Sequence, residues 1–248
     1  MNQLVRSLRP VAVCAALAGS LLASLPAQTT AAPTASKTAA AGLPPLLDRE
    51  LFFGNPEIAG AQISPDGKYL AFLKPWKDTR NIYVKKTGEP FASARLLTSE
   101  TKRPIPAFFW SRDSKVILYI KDKDGDENFN VWAVDPSAAA PAGQEAPPSR
   151  NLTDAKGARA FIYDVPKKDV DTLFVGLNDR DAAWHDIYQV KISTGERKLL
   201  RQNTERISGW VFDLQGRLRL ASRIADSGAT EVLRVDDKGF TPIYTCSV

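Results

Sequence analysis

Two places in this chain combine residue types that could do chemistry. His185 and Asp186 are adjacent in Trp184-His185-Asp186, where a carboxylate could orient an imidazole base. Asp122, Asp124 and Asp126 occupy alternate positions, the spacing at which a calcium loop presents its first carboxylates. Neither pattern completes itself. Neighbours on a strand point to opposite faces, and the residues from Ile187 read as a strand, IYQVKI, so His185 and Asp186 are poorly placed to cooperate. A hairpin or packing role suits His185 better. An EF-hand needs Gly at its sixth position and a bidentate Glu at its twelfth, and this chain has Glu127 and Ala133 there. The three aspartates therefore read as a solvated hairpin turn.

Composition narrows the chemistry further. With one His and two Cys in 248 residues, a multi-His metal centre, a four-cysteine zinc site and a disulfide-dense scaffold are excluded. A Ser-His-Asp triad would have to use His185. The Trp residues at 76, 110, 132, 184 and 210 could form a carbohydrate platform, yet they fall on or beside expected strands, which points to packing. No residue is assigned a catalytic, cofactor-binding or metal-binding role, and no cofactor is expected.

The elements that would position these residues begin after a leader. Arg6 and Arg9 precede an apolar run from Val11 to Leu25, with small residues following, as in a secretory signal over 1–27. The run is shorter than the roughly 20 residues of a membrane span. Ala27 is the expected cleavage point, with Ala31 and Ala32 as alternatives; a lipoprotein reading would use Cys14 but finds Val13 where a small residue belongs. Removing the leader takes away two of the charges behind a net +5, with no Lys/Arg block elsewhere, so nucleic acid is not an expected partner, nor is a membrane after cleavage. Periplasmic or secreted placement is expected. Cleavage would leave Cys246 alone, either as a buried thiol or with a partner on another stretch of sequence.

Residues 28–50 are mostly Ala, Thr, Pro and Ser, a flexible linker and lead-in segment. Beyond them come short apolar alternations bounded by turn residues, the signature of an all-β chain. Self-comparison organises these alternations. Ile63–Leu73, ISPDGKYLAFL, matches Trp110–Ile120, WSRDSKVILYI, at an offset of 47; NIYVKKTG from Asn81 matches NVWAVDPS from Asn130, and RLLT from Arg95 matches RNLT from Arg150. Each unit holds four strands around a Ser-x-Asp turn. Weaker third and fourth units follow, their second strands starting near Asp171 and Arg217. Four strands recurring every 40 to 55 residues, roughly, mark a β-propeller. The expected blades cover about 58–98, 103–153, 158–202 and 207–246, with an Ala/Pro/Gly-rich insertion from Ser137 to Ser149 in the second. An irregular sandwich is the alternative.

ISPDGKYLAF followed by NIYV, and then DKDGDENFNVWAVD from Asp122 to Asp135, resembles the amino-terminal propeller of the prolyl oligopeptidase family of serine peptidases, above all its dipeptidyl aminopeptidase and acylaminoacyl peptidase branches. The resemblance runs from about Leu51 to the end of the chain. It implies a propeller of seven or eight blades joined to an α/β-hydrolase domain that carries the Ser, Asp and His. No Gly in this chain opens a G-x-S-x-G nucleophile elbow, and no βαβ alternation is present. The catalytic domain is therefore expected to be absent and no catalytic residue is carried over.

The function implied is that of a non-catalytic propeller segment of an exported peptidase, gating substrate access and inactive alone, with peptides as partners only within the full enzyme. The alternative is a stand-alone periplasmic propeller of the TolB type acting as a protein-interaction scaffold. A partial ring would leave apolar blade faces uncovered at both ends and invite self-association.

Overall fold

The computed structural model describes residues 45–54 and 56–247. The expected signal and the expected linker up to residue 44 lie outside the described residues. Contacts divide the chain into two units at Phe52 and Phe53. A short helix, α1 (Arg49–Phe53), runs up to this division and is opened by the Asp48 carboxylate accepting the Glu50 backbone N–H at 3.0 Å.

The second unit is built of four antiparallel sheets, each of four consecutive strands in sequence order. The first holds β1 (Ala59–Ile63), β2 (Tyr69–Trp76), β3 (Thr79–Lys86) and β4 (Arg95–Leu96). The second holds β5 (Phe108–Trp110), β6 (Ile117–Lys121), β7 (Asn130–Val134) and β8 (Ser149–Asn151). The third holds β9 (Ala160–Asp164), β10 (Thr172–Asp181), β11 (Trp184–Lys191) and β12 (Arg197–Arg201). The fourth holds β13 (Gly209–Phe212), β14 (Leu218–Ile224), β15 (Thr230–Asp236) and β16 (Gly239–Cys246). The sheets do not close into a ring. This is a partial β-propeller of four blades.

The repeated sequence marks correspond to repeated hydrogen bonds. Ser64 Oγ donates to Asp66 Oδ1 at 2.6 Å and accepts the Tyr69 N–H at 3.0 Å; in the second blade Ser111 Oγ donates to Asp113 at 2.7 Å and accepts from Val116 at 3.0 Å. Each serine locks the turn between the first and second strands. Gly67 takes φ 73° at the turn's end, and Ser114, which occupies the matching place in the second blade, takes φ 63° despite its side chain.

A second device recurs at the third strand. Asn81 Oδ1 accepts from Thr98 Oγ1 at 2.9 Å and from the Glu100 N–H at 2.8 Å, while Thr98 Oγ1 accepts the Ile82 N–H. Asn130 and Thr153 repeat the arrangement in the second blade, and Asp186 accepts the Asn203 N–H at 2.7 Å in the third. These bonds pin the exit of each fourth strand where the chain crosses to the next blade.

Alternation along the strands supplies the cores between blades. Leu73, Ile82, Phe108, Ile117 and Tyr119 share one core, and Leu118, Val131, Ala160, Leu173, Val175 and Val190 share the next. Ile117 and Leu118, adjacent on β6, thus face different neighbours. Ile187, Trp210, Ala221 and Leu233 form the third core. Arginines of fourth strands add a polar link: Arg95 donates to the Pro136 and Ala138 carbonyls, and Arg150 to those of Ile192 and Ser193, in both cases on the following blade.

The two end faces differ, which the sequence did not indicate. On the first blade, Phe72 is 1% exposed, stacked on Tyr83 at 6.0 Å and tilted against Phe91 at 5.5 Å. The segment after β3 folds back there, held by Lys85 Nζ donating to the carbonyls of Lys86, Thr87 and Glu89. The fourth blade has no such cover among the described residues. Opposite Trp210, Ala221 and Leu233, its free face shows Val211 at 51%, Ile224 at 61% and Tyr244 at 63% exposure. Cys246 pairs with Thr230 on the same face and is an exposed free thiol.

Candidate functional site

The structure separates His185 from Asp186. Asp186 is buried and receives Arg180 in two bonds, Nε to Oδ2 at 2.7 Å and Nη2 to Oδ1 at 2.8 Å, so its carboxyl is held below the ordinary range despite burial. His185 lies on the other side of β11, edge-on to the Phe161 ring at 4.8 Å. Burial, helped by the nearby Arg159 guanidinium, pushes its pKa down, and its Nε2 is buried without a partner. A neutral imidazole with no carboxylate behind it has no geometry for general-base work.

The aspartates at 122, 124 and 126 spend their oxygens locally. Asp122 lies 3.6 Å from Arg103 and accepts the Glu127 N–H, Asp124 pairs with Lys102 at 2.9 Å, and Asp126 accepts the N–H groups of Lys123 and Asn128. Hydrogen bonds and Lys102 lower the Asp124 carboxyl, and backbone N–H donors lower that of Asp126. Among the described residues no three His, Cys, Asp or Glu side chains are grouped to hold a metal.

The loop between β6 and β7 nevertheless walls a cavity of about 340 Å³, with Glu100, Asn130, Trp132 and Asp154 among its lining. Its inner wall is a stack: Glu100 accepts from Lys121 Nζ at 2.6 Å, and that ammonium sits 4.2 Å from the Trp132 ring centroid. The indole N–H of Trp132 is buried without a partner. The other tryptophans pack individually: Trp110 donates to the Gln62 carbonyl at 3.3 Å beside Tyr69, Trp210 leans on Phe240, and Trp76 and Trp184 lie beneath Lys77 and Arg206. They form no common platform.

No family model matches the chain. Two curated proteins do. Dipeptidyl aminopeptidase BIII of Pseudoxanthomonas mexicana is 38% identical over 211 residues, an alignment that covers 82% of this chain and 29% of that protein. The chain is a relative of the dipeptidyl aminopeptidases. Dipeptidyl peptidase family member 6 of Caenorhabditis elegans is 30% identical over 184 residues, or 74% of this chain and 24% of that one. The chain thus spans less than a third of the length of these relatives. Among solved structures, a protein assigned as a dipeptidyl aminopeptidase IV of Bacteroides ovatus shares the fold, with a TM-score of 0.53 over 77% of this chain and 29% of that one at 14% identity.

In this relative of the peptidases, one constellation escaped sequence reasoning. The Arg159 guanidinium lies 4.8 Å from the Phe161 centroid and 5.5 Å from that of Phe129. Arg159 and Phe161 are two apart along one extended run, so spacing could have suggested that they share a face. Phe129 lies thirty residues earlier and comes near because the Ala160 N–H bonds to its carbonyl at 2.7 Å.

Proposed function

We propose that this chain is the non-catalytic propeller segment of an exported serine peptidase of the dipeptidyl aminopeptidase kind, gating the access of short peptides to an active site carried elsewhere. The observation that carries this reading is the 38% identity over 211 residues to a dipeptidyl aminopeptidase, combined with four antiparallel sheets and a sequence free of G-x-S-x-G. The uncovered face of the fourth blade favours further packing against another sheet. A positively charged, apolar leader supports export. Gating of this kind contributes exclusion and positioning, while the hydrolase domain contributes the chemistry.

A chimera tests the reading. The matched segment of the bacterial relative is replaced by residues 53–248 of this chain, and hydrolysis is compared for a dipeptide amide and a long unfolded polypeptide. Turnover of the dipeptide with little of the long chain is expected. Equal turnover of both, or a folded chimera inert toward the dipeptide, would overturn the gating role and leave a scaffold role in its place.

A further inference from the structure

We propose that Arg159, whose guanidinium lies near the rings of Phe129 and Phe161, is a receptor for the carboxylate of a short peptide. Arg180, Arg206, Arg217, Arg223 and Arg234 have carboxylate partners, whereas Arg80, Arg159 and Arg197 have none among the described residues, and of these three Arg159 alone lies near two rings. Arg159 has no ion pair and no side-chain hydrogen bond among the described residues, although the backbone at and beside it is fixed. Its N–H donates to Asn178 Oδ1 at 2.6 Å, and the N–H of the next residue, Ala160, is bound to the Phe129 carbonyl at 2.7 Å. The side chain is thus anchored at its root and flanked by two rings, with its donors unspent.

A guanidinium near two rings keeps its N–H donors for a partner in the plane of its fork, which matches a planar carboxylate. Phe161 is 41% exposed, so an apolar group carried by the ligand has a surface to rest on. Two rings and one guanidinium offer a single positive charge beside apolar surface, which suits a singly charged carboxylate. His185, edge-on to Phe161 at 4.8 Å with its pKa lowered by burial, adds no competing charge near neutral pH.

Beta strand β9, which carries Phe161, is the first strand of its sheet and contacts β13, the first strand of the next. The receptor therefore sits along the edge where first strands of successive blades meet. That the carboxylate belongs to a peptide rests on the function proposed above; that it is a carboxylate rests on Arg159 and its two rings.

The experiment titrates the full chain at low ionic strength with N-acetylglycylphenylalanine and with its carboxy-terminal amide, followed by NMR shifts. The acid is expected to bind about tenfold or more tightly than the amide, a difference typical of one charge-assisted contact. Arg159→Gln should reduce the acid to the level of the amide, and Phe161→Leu should weaken acid and amide alike, leaving their ratio in place. Arg206→Gln, with its guanidinium on another ring, should leave the affinity unchanged. Equal binding of acid and amide by the native chain, or undiminished binding of the acid by a folded Arg159→Gln protein, would overturn the proposal. Gating is read on hydrolysis by the chimera, so the two failures are distinguishable.

Discussion

Asn130 holds five groups with one side chain. Its Oδ1 accepts from Thr153 Oγ1 at 2.8 Å and the Ala155 N–H at 3.0 Å, and its Nδ2 reaches the carbonyls of Asn128, Ala155 and Ala158. Asn130→Ala would strand several of these near the second core, so a loss of about 1–3 kcal/mol is expected in urea unfolding. The pairing of Asn81 and Asn130 at the same place in the repeat was legible, but the threonines they bind lie 17 and 23 residues on and became partners only through the fold. His185 gives a second test at this scale. Its folded pKa lies below the ordinary 6.5, so the unfolded chain takes up the proton first. The stability from the neutral imidazole is whole above about pH 6.5 and declines as pH falls toward its folded pKa. The urea midpoint should drop between pH 7.5 and pH 5, and His185→Gln should flatten that drop; an identical drop in the variant would contradict the assignment. The turn carboxylates act elsewhere: Ser64 and the Lys68 N–H hold the Asp66 carboxyl down to about 2, so its contribution is lost only at strongly acidic pH.

Between elements, close approach sets the constraints. Gly176 on β10 leaves space for Tyr163, and a Cβ there would meet the Tyr163 ring at 2.4 Å and His185 Cβ at 3.0 Å. Gly176→Ala should cost about 1–3 kcal/mol, read in the same urea titration, because ring and strand must both shift. A wild-type midpoint would mean that the third blade is looser than its geometry implies. Strand number and order were readable because alternation and turn chemistry are local: Ser-x-Asp and Asn-x-aromatic recur at fixed spacing. The cover on the first blade was not readable. Phe91 lies in a short 3₁₀ turn, Phe91–Ser93, that the sequence presents as part of a connection, and its contact with Phe72 depends on Lys85 gathering three carbonyls. Arg159 escaped for the same reason, since its second ring comes from another blade.

At the scale of the whole molecule, the uncovered fourth face and the missing nucleophile motif both bear on how the chain behaves alone. Val211, Ile224 and Tyr244 expose apolar area on one sheet face with a single charged pair, Arg234 and Asp236 at 2.7 Å, nearby. Sedimentation should show concentration-dependent association, and Tyr244→Asp with Val211→Lys should shift the chain toward monomer; a native monomer at high concentration would mean that this face needs no cover. As proposed above, this chain supplies the propeller and the hydrolytic residues lie elsewhere. The direct measurement is hydrolysis of dipeptidyl p-nitroanilides by the purified chain. No turnover above buffer is predicted, with or without a serine-directed inhibitor. Steady turnover that co-purifies with the chain and survives His185→Ala would contradict the account.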